Sequence, residues 1–298
     1  MITIGLLLLS CLIVMPASSE DTINTTSTEN TLYVDDDFNE STPGWNVTHF
    51  NKIQDGVDHA NNNDTVFVYS GNYKTVFIHS KSINLLGENK DSTIIKGNSG
   101  SNAVSLLSCS NTQVSSFQIE KGVDGVCIKG GTSNIISDNK LIQNDLSGLG
   151  IRSSNWNTVC NNYIVDNYNG ITISDGAKNN SIFSNTISNN RKGGIGIAGG
   201  DDSNIFQNTI QNNKNGISIS QWPPLYHSLR TNIYHNNFFD NQKNIYCGYF
   251  SISYTYIDNN YWGRPYFLPY IIYSFKLFGV IPLPSNIDWH PAKEPYNI

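Results

Sequence analysis

The sequence predicts an all-β solenoid with coils of about 22–24 residues, and three observations carry that prediction. First, aliphatic residues recur at offsets that agree to within one residue: Ile136, Leu141, Leu149 and Ile151; Val159, Ile164, Ile171 and Ile173; Ile182, Ile187, Ile195 and Ile197; Ile205, Ile210, Ile217 and Ile219. Each set starts 23 residues after the one before it. A fifth set, Ile233, Phe238, Ile245 and Cys247, follows a step of 28, because Gln221 to Arg230 interrupts the pattern. A looser set, Val114, Ile119, Val126 and Ile128, precedes them all. Second, pairs such as Ile171/Ile173 and Ile195/Ile197 have the two-residue period of a strand, and no repeat has helical spacing. Third, asparagines stand in two columns: Asn139, Asn162, Asn185, Asn208 and Asn236; and Asn144, Asn167, Asn190, Asn213 and Asn241.

One such coil cannot fold alone. Its inward aliphatics contribute about 1.5–3 kcal/mol each on burial, whereas ordering each residue costs about 1–2 kcal/mol. Stacking removes the deficit, since every strand then pairs with its equivalents above and below at about 4.8 Å. The asparagine columns fit turns. Asn tolerates left-handed backbone and bonds locally, and stacked amides can bond one another along the axis. This structural role is preferred to a sugar-binding or catalytic one.

The run N-x-x-G-I-x-I, with asparagines and isoleucines at the repeat offsets, resembles the right-handed parallel β-helix repeat of pectin-lyase-like proteins. The likeness covers roughly Thr65 to Asn260. Within that superfamily the chain is most similar to the extracytoplasmic proteins grouped with the NosD type. The tail segments Asn260-Tyr261-Trp262-Gly263-Arg264-Pro265 and Asp288-Trp289-His290-Pro291 resemble the closing segment of such proteins. The resemblance implies a right-handed parallel β-helix, to which the residues add an N-terminal capping helix and an irregular aromatic C-terminal tail. It does not fix an activity, because this scaffold carries lyases, hydrolases, binding modules and spacers.

The elements follow in order. Residues 1–19 read as a signal peptide: Ile2 to Val14 is almost continuously apolar and Pro16-Ala17-Ser18-Ser19 offers small residues for cleavage. A lipid anchor through Cys11 and an uncleaved anchor are the alternatives. Residues 20–47 form a linker and N-terminal segment, with Ser18 to Asn30 flexible. Sequons stand at Asn24, Asn39, Asn46, Asn63 and Asn179. Residues 48–262 form the β-helix with its cap. Phe50, Ile53, Val57 and Ala60 place a short amphipathic helix over Thr48 to Asn62, which would cover an open sheet end. Strands Val66–Tyr69, Val76–His79, Ile83–Leu86 and Thr93–Lys96 start the coils. Residues 263–298 form a tail packing on the last coils, and its prolines oppose a membrane span.

Composition narrows the partners. Charged residues are 14%, against about 25% in a typical soluble protein, so Asn, Ser, Thr and Gly build the polar surface. Such a surface suits hydroxyl-rich partners. A net charge of −6 leaves no basic stripe, which argues against nucleic acid. Beyond Cys11, the cysteines are Cys109, Cys127, Cys160 and Cys247. An exported protein could pair them, although Cys247 stands in an inward column and fits a small buried side chain.

The most variable column is the turn after each Gly-x-x-Ile strand. It carries Arg152 and Trp156, then Asp175, then Asp201 and Asp202, then Trp222 and Tyr226 in the insertion. Loops on one face of a repeat protein usually bind, so Trp156, Trp222 and Tyr226 are candidate substrate-binding residues. Asp175, Asp201, Asp202 and Arg152 are candidate catalytic residues. The resemblance supplies that reading, since related glycosidases use paired carboxylates and related lyases use acids with an Arg or Lys base. The Gly-His-Gly and Arg-x-Lys companions of the glycosidases are missing, and a solvated turn is the preferred account. Phe183, Phe206 and Tyr234 form an outward aromatic column, expected to lie under the tail, with a glycan platform as the alternative.

No metal site or cofactor is expected. The NosD resemblance implies copper, but soft sites need Met, Cys or clustered His, and the two methionines, Met1 and Met15, are in the leader. Asp35, Asp36 and Asp37 could hold Ca2+, with a solvated turn preferred. The leading expectation is an exported, extracellular, non-catalytic protein that binds or presents polysaccharide or surface glycan. A polysaccharide lyase or hydrolase is the first alternative, and a NosD-like accessory for metal-site maturation the second.

Overall fold

The computed structural model describes residues 29–220, 230–248, 255–277 and 281–298. The leader, Cys11, the sequon at Asn24 and both Trp222 and Tyr226 lie outside the described residues. Three parallel sheets of 11, 8 and 8 strands form the faces of a right-handed solenoid. Each coil gives one strand to each face: Ile135–Ser137, Lys140–Ile142 and Ser147–Arg152, then Thr158–Cys160, Tyr163–Val165 and Asn169–Ser174. Equivalent aliphatics stack in register, as in Ile136↔Val159, Leu141↔Ile164, Leu149↔Ile171 and Ile151↔Ile173. All eight are 0% exposed. A three-residue strand turns one side chain inward and a six-residue strand two, which explains the four aliphatics per repeat. The glycine ahead of the third strand is a close-approach position. A Cβ on Gly148 would sit 2.6 Å from Ile164 Cγ2 and 2.9 Å from Gly170 O.

Both asparagine columns are amide ladders. Asn139, Asn162, Asn185, Asn208 and Asn236 each pass a Nδ2–H to the next Oδ1 at 3.0–3.2 Å, ending on Asn260. The left-handed position is not the ladder residue but the one before it: Asp138, Asn161, Ser184, Gln207 and His235 have φ of 52–59°. The ladder amide must point inward to reach its partners, so its neighbour absorbs the turn. A third, shorter ladder, Asn134–Asn157–Asn180, runs at 3.0 and 2.8 Å.

Both ends are closed. The helix is shorter than its apolar spacing suggests, Ile53–His59, because Phe50 belongs to a strand, His49–Phe50, beside Thr31–Val34. Thr31–Val34 pairs in parallel with Thr65–Val68, so the first sheet begins ahead of the helix. Gln54 mimics a neighbouring strand: its Oε1 accepts from Phe77 N at 2.8 Å and its Nε2 donates to Phe77 O at 3.0 Å. Lys81 Nζ donates to the helix-end carbonyls of Val57, Asp58 and Ala60 at 2.6–2.9 Å. Lys81→Met is expected to cost about 2–3 kcal/mol, read as a lower urea midpoint; an unchanged midpoint would remove Lys81 from the cap.

At the other end, the tail is not irregular throughout. Tyr270–Leu277 and Ile281–Asp288 pair as an antiparallel hairpin against the strands Lys243–Cys247 and Tyr256–Asp258. Trp262 stacks between Phe238 at 4.8 Å and Tyr270 at 4.3 Å. Asp288, 0% exposed, ends the first ladder by accepting from Asn259 N, Asn260 N, Trp262 Nε1 and His290 N.

Candidate functional site

Outward residues of the third sheet build a groove. Between and after the inward pairs lie Cys127 and Lys129, Gly150 and Arg152, Thr172 and Ser174, Gly196 and Ala198, Ser218 and Ser220, each pair in register with the next. From Arg152 to Ser220 these positions floor a depression of about 270 Å³, rimmed by Leu146 and Lys192. Its floor is made of small and hydroxyl side chains, with Ser147 and Thr172 hydroxyls 3.1 Å apart. Lys192 Nζ lies 5.5 Å from the centre of the Tyr168 ring, and that ring is 38% exposed.

Arg152 closes one end. Its Nη1 is 2.6 Å from Asp124 Oδ2 and 2.8 Å from Cys127 Sγ. Asp124 is 1% exposed, and its other oxygen finds no donor among the described residues. Gly150 makes the room: a Cβ there would stand 2.7 Å from Arg152 Nη1 and 3.1 Å from Asp124 Oδ2. Burial pushes the Cys127 thiol up from its ordinary range, against the pull of Arg152, so Cys127 is a protonated packing partner rather than a nucleophile. Burial pulls the Arg152 guanidinium down, but its Asp124 and Cys127 hydrogen bonds outweigh that and raise it. A cation held this firmly can donate to a ligand without first being ordered.

The other sequence candidates separate into two places. Asp175, exposed, lies next to the groove residue Ser174, whose hydroxyl donates to its Oδ2 at 3.2 Å. Trp156, 63% exposed, stands in the turn beyond Arg152 with φ of 59°. Asp201 and Asp202 face onward instead: Arg230 Nη2 is 3.0 Å from Asp202 Oδ2 and 3.9 Å from Asp201 Oδ2. Register sets Lys178, not Asp175, beside Asp201. The structure therefore brings Arg152 and Asp175 to one groove edge and ties Asp201 and Asp202 to a separate cation.

Asp124, Ser147, Lys192 and Ser218 were not singled out from the sequence. Ser218 could have been found as the residue between the inward Ile217 and Ile219, whereas Asp124, Ser147 and Lys192 stand ahead of the inward pairs and carry no such mark. The rings of the aromatic column stack on one another and are half-buried. Phe183 and Phe206 stack at 5.0 Å, Phe206 and Tyr234 at 5.2 Å, so the rings occupy one another's faces and leave edges outward. Cys109 Sγ donates to Ile78 O at 3.2 Å, and all four described cysteines are buried. Asp35, Asp36 and Asp37 bring carboxylate oxygens within 4.8 Å of one another, but two of these carboxylates already accept Asp37 N and Asn72 N. No helix among the described residues is long and apolar enough to cross a membrane.

Among solved structures, pectin methylesterase from carrot is similar with a TM-score of 0.53 at 13% identity, covering 80% of this chain and 83% of that one. The ORF18 protein of Geobacillus virus E2 also gives 0.53, at 16% identity over 70% of this chain, which spans 53% of the viral chain. An alginate lyase from Paenibacillus sp. str. FPU-7 gives 0.49 at 11% identity, over 66% and 87%. At these identities the likeness is one of fold. No curated protein matches the sequence. The family described as "Periplasmic copper-binding protein (NosD)" matches residues 57–267, and with most of the solenoid inside that span the chain belongs to the NosD family of pectin-lyase-like parallel β-helix proteins.

Proposed function

We propose that the groove over the third sheet binds an extended carbohydrate chain, without chemistry, in an extracytoplasmic setting. The observation that carries this reading is the groove floor: hydroxyls of Ser147, Thr172, Ser174, Ser218 and Ser220 and the bare positions Gly196 and Ala198 line it over successive coils. Coils repeat at about 4.8 Å, close to the length of one sugar unit, so successive coils can meet successive sugars. The carrot protein of like fold is a pectin methylesterase, and the family is described as periplasmic. Both agree with this reading. Asp175 beside Ser174, Trp156 in the turn beyond Arg152, and Trp222 and Tyr226 in the sequence that follows Ser220 are the proposed further contacts.

Catalysis finds less support. Asp201 and Asp202 are engaged by Arg230, and register sets Lys178 rather than Asp175 beside Asp201, which favours an ion-paired turn over the acid and base roles of paired carboxylates. A copper reading draws less support from the described residues. Copper wants soft donors grouped together, yet Cys109 is sealed against the Ile78 carbonyl and Cys127 lies under a guanidinium. The one described group of three acidic or soft ligand residues, Asp35 to Asp37, offers hard oxygen only.

A glycan array with the wild type and Gly196→Tyr tests the groove. A Cβ at Gly196 meets nothing closer than 3.8 Å, so the tyrosine should fold and fill the floor. The expected result is binding by the wild type and a loss of more than about tenfold in the variant, roughly the effect of losing one well-placed contact. Silence of the wild type on every glycan would sink the carbohydrate reading; equal binding by Gly196→Tyr would move it off this groove.

A further inference from the structure

The C-terminal end of the solenoid carries apolar side chains that the fold leaves bare. Phe267 is 83% exposed, Leu268 76% and Trp289 63%, and they share one open cleft with Tyr266, Pro291 and Lys293. They project from firm anchors. The turn bearing Phe267 and Leu268 starts at Trp262 and ends at Tyr270, whose rings stack at 4.3 Å, and Trp289 directly follows the fourfold-bonded Asp288. Two cations flank the tip: Lys293 Nζ lies 5.7 Å from the Phe267 ring centre and the Arg264 guanidinium 5.0 Å from that of Tyr266.

We propose that this end of the molecule docks onto a lipid bilayer surface bearing anionic headgroups. A side chain four-fifths exposed is a protrusion, and a rigid partner would need a matching hole, whereas the boundary between headgroups and acyl chains flows around it. Tryptophan favours that boundary, and neighbouring Arg and Lys meet anionic headgroups while their stems follow the apolar tip. The chain carries a net charge of −6, and of the acids near its barest apolar tip Asp288 is enclosed by four donors and Asp258 is held by His290, which leaves Glu294 as the acid adjoining Lys293 and Arg264 and Lys293 as the outward cations. A sugar is the poorer fit because the cleft's polar groups are engaged by the protein. His290 Nδ1 holds Asp258 Oδ1 at 2.9 Å, and Asn259 Oδ1 accepts from the Tyr296 hydroxyl at 3.1 Å.

Sedimentation of the full chain with vesicles of equimolar phosphatidylglycerol and phosphatidylcholine tests the proposal, with Phe267→Ser/Leu268→Ser as the comparison. Both chains share one N-terminus, so the difference reads the tip alone. The expected partition coefficient of the variant is roughly a hundredfold lower, and Arg264→Gln/Lys293→Gln should lose the preference over pure phosphatidylcholine vesicles. Brominated lipid should quench a component of the emission that Trp289→Phe removes. Equal partitioning together with no quenching of Trp289 overturns the proposal, as does an oligosaccharide that binds the wild type and not the Phe267→Ser/Leu268→Ser variant.

Discussion

Replacing Asn185 with leucine is expected to lower the unfolding free energy by about 3–5 kcal/mol. The residues are close in volume, so little cavity forms and the loss reads the ladder itself. Asn185 Oδ1 accepts from the backbone and side-chain nitrogens of Asn162, each at 3.0 Å, and its Nδ2 donates to Val159 O, Phe183 O and Asn208 Oδ1 at 2.9–3.0 Å. Leucine leaves Asn162 N without its acceptor and Val159 O and Phe183 O without this donor where water cannot replace it, at about 1–3 kcal/mol each, whereas Asn162 Nδ2 keeps the Ile136 and Cys160 carbonyls and Asn208 Oδ1 keeps Asn185 N. A solenoid holds together through neighbouring coils, so the break should also split unfolding into two steps. Urea denaturation followed by two probes, with hydrogen exchange on either side of the substitution, checks both parts. A loss below about 1 kcal/mol would mean that the amides are ornaments of a core that isoleucine alone sustains.

The coils were legible because a buried stacked position tolerates little else. Every inward residue from Ile136 to Ile219 recurs at fixed spacing and proves 0% or 1% exposed. Boundaries were less legible. Phe50 shares the helix's apolar spacing and is 1% exposed, yet a strand buries it as well as a helix would, and spacing cannot separate the two. The third ladder was overlooked because its column changes to Ser203 and Thr231 after Asn180. The groove was hidden for a different reason: Ser, Thr, Gly and Ala at outward strand positions look like ordinary solvated residues until the register sets them side by side. Asp124 could be found only in three dimensions, since its partner Arg152 stands one coil away.

Arg152→Met is expected to destabilise the protein by about 3–5 kcal/mol, the usual result of stripping the partner from a buried charge. Asp124 is 1% exposed and would lose its cation at 2.6 Å with one oxygen already lacking a donor. Removing the charge as well, in Arg152→Met/Asp124→Asn, should restore most of the stability, because a neutral buried pair avoids the desolvation cost that the ion pair must offset. Equilibrium denaturation of both variants measures the recovery; a double variant no more stable than Arg152→Met would show that the guanidinium acts through its contact with Cys127 instead. The same variant separates fold from function. If burying an ion pair here served stability alone, apolar neighbours would serve as well, so on the carbohydrate reading the guanidinium's remaining donors at the head of the groove are its proposed use. The refolded double variant should therefore bind glycan about tenfold or more weakly than the wild type, and full affinity in it would make the pair a packing device at the groove's edge.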